Sequence, residues 1–295
     1  MTKITVYIPA YNVAGFLAGA IESLLAQTLV PDQIFVVDDG SRDQSAEIAS
    51  RYPQITLLRH ERNLGLAAAR NTAFRAARNE LVASLDADCI AGPEWLTRLV
   101  TQLDDPHVVG VGGHLSEGVQ LSLADRWRRA HMPQEWGDTF LRNPKFLFGC
   151  NNLFRRSTVL NAGGYDESMR TNGEDCDLSR RLMLNGYDLV YEPSARATHL
   201  RRDTIPSILD TYWRWWKSGV NAYANGIRLR SVIGHAIFVH FRYTFLELVA
   251  RDLHARRFEL LPLDLLVLMY LPYRDFRLWL AARFNPAPQQ SAAGA

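Results

Sequence analysis

Apolar positions along the first hundred residues alternate between two spacings. Ile4–Ile8 is a short, largely β-branched run, and after it Phe16, Leu17, Ala20, Ile21, Leu24 and Leu25 recur on one helical face. The alternation then repeats. Ile34–Val37 reads as a strand, Ser41–Tyr52 as a helix opened by a Ser41/Gln44 capping box, and Ile55–Leu58 as a strand. Leu64–Arg78 follows as an Ala-rich helix, Leu81–Leu85 as a strand, Pro93–Leu103 as a helix and Val108–Val111 as a strand. Strands that are apolar nearly throughout, separated by amphipathic helices, predict an α/β fold with a mainly parallel central sheet and helices on both faces.

Past Gly113 the periodicity blurs. Residues 117–148 mix aromatics, charges and prolines and read as an insertion at the active site. Regular spacing resumes at Cys150–Phe154, then a Gly163-Gly164 turn, a helix over Glu174–Leu184 stopped by Asn185-Gly186, and a strand at Leu189–Tyr191. The last third has a different character. Between Arg196 and Arg257, eleven Arg or Lys stand against four Asp or Glu. They are interleaved with aromatics in Tyr212-Trp-Arg-Trp-Trp-Lys217 and followed by the apolar run Val232–Phe241. We therefore expect a first domain over 1–200, divided at about 112, a helical basic-aromatic region over 201–285 and a flexible tail at 286–295.

Composition narrows the class. With 295 residues, 47% apolar and 22% charged, the chain is globular, and a net charge of +2 argues against a nucleic-acid partner. The three cysteines lack any C-x-x-C spacing, which speaks against a disulfide framework or zinc ribbon and fits a reducing compartment. The N-terminal apolar run is too short for a signal peptide, and no stretch is long enough to span a bilayer, so a cytoplasmic location is expected. Basic and aromatic residues over 204–257 suit peripheral contact with an anionic bilayer, at the inner face of the cytoplasmic membrane. The same composition suits a segment packed on the catalytic domain with its aromatics inside; both readings stay open here.

Ligands of a parallel sheet bind outside the carboxyl ends of its strands. At those positions the chain places Pro9-Ala-Tyr-Asn12, Asp38-Asp-Gly-Ser41 and Asp86-Ala-Asp88. Each alone is an ordinary turn sequence, but three polar clusters on one rim are hard to explain as turns. Two alternate carboxylates at a strand end can reach one hard divalent cation, Mg²⁺ or Mn²⁺, shared with substrate phosphates. The helix carrying Asn63, Gly65, Arg70 and Asn71 points its N-terminus at the same rim, where an anion is favoured and where Arg70 could reach a phosphate or a base edge.

Six motifs together make a resemblance specific. Tyr7-Ile-Pro-Ala-Tyr-Asn12, Val37-Asp-Asp-Gly-Ser41, Asn63-Leu-Gly-Leu-Ala-Ala-Ala-Arg-Asn71, Leu85-Asp-Ala-Asp88, Gly163-Gly-Tyr-Asp166 and Gly173-Glu-Asp175 run in order over residues 4–200. The sequence resembles a family 2 glycosyltransferase, the inverting type with a Rossmann-like GT-A fold, which implies that 1–200 is a catalytic domain with a nucleotide half over 1–112 and an acceptor half over 113–200. The resemblance implies that Pro9, Tyr11 and Asn12 line a nucleotide pocket, that Asp39 accepts from a uracil imide, and that Asn63 and Arg70 help hold the nucleoside. It implies Asp86 near the ribose and metal, Asp88 on the metal bridging a diphosphate, His199 on the metal or diphosphate, Glu174 in the donor site and Asp175 as catalytic base. The implied reaction moves a sugar from a nucleotide diphosphate, UDP by expectation, to a hydroxyl of a glycan or lipid-linked acceptor in envelope polysaccharide or glycolipid assembly. A sugar nucleotidyltransferase would need a Gly-rich, Arg-containing loop where this chain has Pro-Ala-Tyr-Asn. A non-catalytic sugar-nucleotide or glycan-binding module would have no need of intact Asp86, Asp88 and Asp175.

Overall fold

The computed structural model describes residues 2–169, 172–219 and 229–284, so the tail expected at 286–295 lies outside the described residues. β1 (Ile4–Ala10), β2 (Gln33–Asp38), β3 (Ile55–Arg59) and β4 (Leu81–Leu85) pair in parallel in the order β3-β2-β1-β4. Successive side chains of a strand point to opposite faces, and β1 shows what that does. Ile4, Val6 and Ile8 share one buried cluster with Leu17, Ile21 and Leu24 of α1 (Leu17–Leu25). Tyr7 joins the opposite cluster with Ala67, Ala73 and Phe74 of α3 (Leu66–Ala76). A central strand buried on both sides explains why its sequence is apolar nearly throughout.

The sheet continues past β4 through β5 (Cys89–Ala91), β6 (Val108–Glu117), β7 (Leu141–Arg142), β8 (Asn151–Arg155) and β9 (Asp188–His199). Beyond β4 the order is β8-β6-β9-β5, with β7 paired to β9. β8 is antiparallel to both β4 and β6, so β4 and β6 run the same way, and β9 is parallel to β6. One edge of the sheet therefore collects the carboxyl ends of β1, β2, β4, β6 and β9 together with the start of β8.

Two sequence-derived expectations change. The Ser41/Gln44 capping box does not form: α2 (Ser45–Ser50) begins later, and the Ser41 hydroxyl accepts from the Asn12 amide at 3.0 Å. The neighbouring loop competes for that hydroxyl and takes it. A capping box does form where the pattern seemed irregular, at Ser122 and Asp125 ahead of α5 (Leu123–His131). β6 and β9 also run far past their apolar cores, because a ten- and a twelve-residue strand zip against each other to Glu117–His199.

Two compact units divide the chain: Met1–Val119 with Pro133–Arg201, and Gln120–Met132 with Arg202–Ala295. The second is helical. Besides α5 it contains α8 (Ile205–Gly219), α9 (Leu229–Gly234), a π-helical segment (His235–Phe245), α10 (Leu246–His254) and α11 (Leu261–Phe284). Its core joins Trp127 of α5, Ile208, Tyr212 and Trp213 of α8, Leu248 of α10 and Leu263, Val267 and Leu271 of α11. Tyr212 and Trp213 are thus interior residues of this unit, with Trp215 partly buried against them. The Trp216 and Lys217 side chains of the same cluster lie outside the described residues.

Candidate active site

Pro9 lies near the tip of β1, where the ladder to β4 has ended at Tyr7–Ser84, so the amide it lacks is not demanded on that side. Tyr11 follows with 44% of its surface exposed. Asn12 takes a left-handed backbone at φ 53°, and its side-chain oxygen accepts from the Arg42 amide at 2.9 Å. Asp39 is buried and clamps the next loop: it accepts from the Leu64 and Gly65 amides, each at 2.8 Å, and from His60 at 2.7 Å. Gly40 between them sits at φ +74°, with a built Cβ only 2.6 Å from the Arg62 carbonyl carbon, so the turn excludes a side chain. Asn63, half-buried, lies on that clamped loop.

Arg70 is the hub beneath the rim. It is 1% exposed, and its guanidinium donates to the Ser84 hydroxyl at 2.8 Å and the Gly149 carbonyl at 2.6 Å. It also pairs with Asp86 at 3.3 Å and Glu174 at 3.4 Å. Arg70 is expected to reach a phosphate or a base edge, and in this structure its guanidinium meets protein groups. Protein acceptors surround the guanidinium, so it underpins the acids from behind. Gly149 is required for this: a Cβ there would meet Arg70 Nη2 at 2.6 Å.

Around residues 149–150 the acidic segments meet. The Asp86 amide donates to the Cys150 carbonyl at 3.1 Å, and the Gly149 amide donates to Asp175 Oδ2 at 2.9 Å. Asp175 and Glu174 open α7 (Glu174–Leu184) but turn differently. Glu174 is 3% exposed and faces Arg70, whereas Asp175 is half-buried and its Oδ1 accepts from the Cys176 amide at 2.8 Å. Burial, then the charge of Asp175, push the Glu174 carboxyl up to about 7 despite the pull of Arg70. Burial and neighbouring Asp88 likewise raise Asp86 above the usual carboxylate range, against Arg70.

Asp88 and His199 face each other with His199 Nε2 3.1 Å from Asp88 Oδ2, and His199 Nδ1 is 3.0 Å from Glu117 Oε2. Burial opposes the imidazolium, but the hydrogen bonds and charges of Asp88 and Glu117 outweigh it and lift His199 to about 9. Burial also raises Asp88, and the imidazole hydrogen bond with the charges of His199 and Arg201 more than reverses this, leaving it low. Glu117 escaped the sequence reading because nothing in its neighbourhood marks it; the β6–β9 register that sets it opposite His199 is a tertiary fact.

These groups fit a divalent cation in part. Asp88 and His199 form a carboxylate–imidazole pair whose far nitrogen is anchored on a second carboxylate, as metal-binding histidines usually are. Their side chains keep 24% and 7% exposure, so the pair opens toward solvent at the rim. Asp86 stands apart from them on Arg70. The only His/Cys/Asp/Glu trio already gathered tightly enough for one ion, among the described residues, is His131, Asp252 and Asp264 in the second unit.

Comparison with known proteins bears on this geometry. The profile of glycosyl transferase family 2 matches residues 5–161, more than half of the chain. The chain belongs to glycosyl transferase family 2. Over 214 residues it is 32% identical to a pre-mycofactocin glycosyltransferase of Mycobacterium tuberculosis, covering 68% of this chain and 43% of that one. Over 220 residues it is 30% identical to the succinoglycan biosynthesis protein ExoO of Rhizobium meliloti, covering 70% of this chain and 63% of that one. The match therefore spans less than two thirds of either relative. In fold it is similar to a mannosyltransferase of Pyrobaculum calidifontis solved with GDP-Man and Mn²⁺, at a TM-score of 0.60 and 20% identity, covering 95% of this chain and 84% of that one. The first unit of this family 2 glycosyltransferase thus has the GT-A architecture, with the mixed sheet described above.

Proposed function

We propose that this family 2 glycosyltransferase is a metal-assisted, inverting enzyme that moves a sugar from a nucleoside diphosphate, UDP in our reading, to a hydroxyl acceptor. One observation carries the proposal: the Asp86 amide and the Asp175 carboxylate, on different elements, both bond the Gly149–Cys150 backbone at the edge where the carboxyl ends of the strands gather. Tyr11 and Asn12 would border the base, with Asn63 on the loop that Asp39 clamps; a lone pair left on Asp39 would take a uracil imide. Asp88 and His199 would hold the cation, with Asp86 turned to the ribose or to the ion's outer sphere. The cation supplies Lewis-acid stabilisation of charge on the departing diphosphate. Asp175 would take the proton of the incoming hydroxyl from the face opposite the leaving group, so no covalent nucleophile is needed. Glu174 and Arg70 are positioning residues behind it.

The named role of ExoO in succinoglycan biosynthesis supports an acceptor in envelope polysaccharide assembly, and we place that acceptor on a lipid at the cytoplasmic membrane. The test is a thermal-shift panel of UDP- and GDP-sugars with and without Mn²⁺ or Mg²⁺, since a donor that binds only the folded state raises its melting temperature. Asp175→Asn should keep the donor-induced shift while nucleotide release into a membrane-lipid extract falls about 10²-fold or more. Asp88→Asn should lose the metal-dependent part of the shift. Turnover at the wild-type rate in Asp175→Asn would remove the base from the mechanism.

A further inference from the structure

The second unit exposes more apolar surface than its own core explains. α11 carries apolar side chains on its outward as well as its inward face. Leu263, Val267 and Leu271 are buried at 1% each, yet Leu265, Leu266, Met269, Tyr273 and Phe276 on the same helix are 40–72% exposed. A surface helix ordinarily turns its polar residues, not an apolar stripe, to water. The π-helical segment repeats the arrangement, with His240 and Thr244 inside and Ile237, Phe238 and Phe241 at 45–63% exposure. The two segments are neighbours, and monomeric soluble surfaces rarely gather exposed apolar side chains into a large patch without a use.

Charge identifies what covers it. Among described residues 229–284, Arg230, Arg242, Arg251, Arg256, Arg277 and Arg283 are exposed, against Glu247 and Glu259 alone among the acids. The remaining acids of this segment point inward: Asp252 accepts from His131 and Arg257, Asp264 from Trp127, and Asp275 from Trp213 and His240. Folding thus hides the negative charge and leaves an apolar, arginine-rich exterior. Two copies meeting through such a face would bring arginines against arginines, which disfavours a second molecule as the partner. No described helix is long and apolar enough to cross a membrane.

We propose that α11 and the π-helical segment form a face that lies on an anionic bilayer, its apolar side chains in the acyl boundary and its arginines on the headgroups. Of the contact expected over 204–257 this keeps the π-helical segment, leaves out Tyr212 and Trp213, which are interior, and adds α11. The inference deepens the proposed function, on which it rests for a lipid-borne acceptor.

Flotation of the full chain with vesicles tests it. At physiological salt the wild type should co-float with phosphatidylcholine vesicles containing phosphatidylglycerol and hardly at all with phosphatidylcholine alone. An arginine near an anionic surface contributes roughly fivefold to partitioning, so Arg242→Glu/Arg277→Glu should weaken it at least about tenfold. Leu265→Ser/Met269→Ser should do the same, while Leu184→Ser, 73% exposed in the first unit, should change nothing. Thermal melts confirm that these surface variants remain folded. The proposal is overturned by absent binding, by equal binding to both vesicle types, by unchanged binding of either double variant, or by light scattering showing an oligomer that Leu265→Ser/Met269→Ser dissociates. The nucleotide-sugar thermal shift, read on the same preparations, keeps the two claims apart. A normal shift without vesicle binding sinks only the membrane face, whereas vesicle binding without any donor shift sinks the glycosyltransferase reading.

Discussion

A single buried arginine ties the site together. Arg70 joins the end of β4 through Ser84 and Asp86, the start of β8 through Gly149, and the start of α7 through Glu174. Removing it leaves the buried Glu174 carboxyl without its cation and Asp86 without a partner, so Arg70→Met should destabilise the protein by about 3–5 kcal/mol in urea unfolding. Glu174 makes a second, pH-resolved prediction. Its carboxyl titrates near 4.5 when unfolded and at about 7 when folded, so the folded state binds the extra proton between those values. Stability therefore falls as pH rises through that window, and the loss is complete above it. Glu174→Gln has no such proton, and its urea midpoint should vary less with pH between about 4.5 and 7. An unchanged slope would show that Glu174 is not the titrating group. The motifs named Arg70 and Glu174 as donor-site residues, and packing shows that both are buried and paired with each other.

Elements place what residues cannot place for themselves. Because β8 runs against β4 and β6, the ends of β6 and β9 arrive beside Asp86-Ala-Asp88, and their parallel register sets Glu117 against His199. If Glu117 orients that imidazole toward a cation, Glu117→Gln should weaken Mn²⁺ affinity about 10–100-fold, read from the Mn²⁺ dependence of the donor-induced shift. α11 shows the same logic in a helix. Asp264 and Asp275 lie eleven residues apart, three turns along one face, and each accepts an indole N–H, from Trp127 and Trp213 respectively, at 2.9 Å. Burial, with Asp252 nearby, pushes Asp264 up to about 6. Trp127→Phe would leave that oxygen without its donor and should cost about 1–3 kcal/mol in thermal or urea unfolding. Strand-and-helix alternation over the first hundred residues was legible because each element buries a face with its own period. The 117–148 stretch was not, since its order rests on long-range pairing and on a cap recognised only once the helix exists.

For the whole molecule, the distribution of charge matters more than its sum. A net charge of +2 conceals a helical unit in which Asp252, Asp264 and Asp275 are buried while Arg230, Arg242, Arg251, Arg256, Arg277 and Arg283 are exposed. Attraction of that exterior to an anionic surface is screened, so vesicle binding should fall steeply as salt rises from about 0.1 M to about 1 M, where the Debye length shrinks from roughly 10 to 3 Å. A residual, salt-insensitive fraction would report the apolar side chains.

The amino-acid sequence alone determined the α/β class, the rim on which polar clusters sit and the family, because those depend on local periodicity and on motifs a few residues long. Tertiary structure decided that Arg70 is a buried tether, that Glu117 stands behind His199, and that Tyr212 and Trp213 are interior while one face of α11 is left open. Those outcomes depend on strand register and on which helix face finds a partner, and both are settled between residues tens of positions apart.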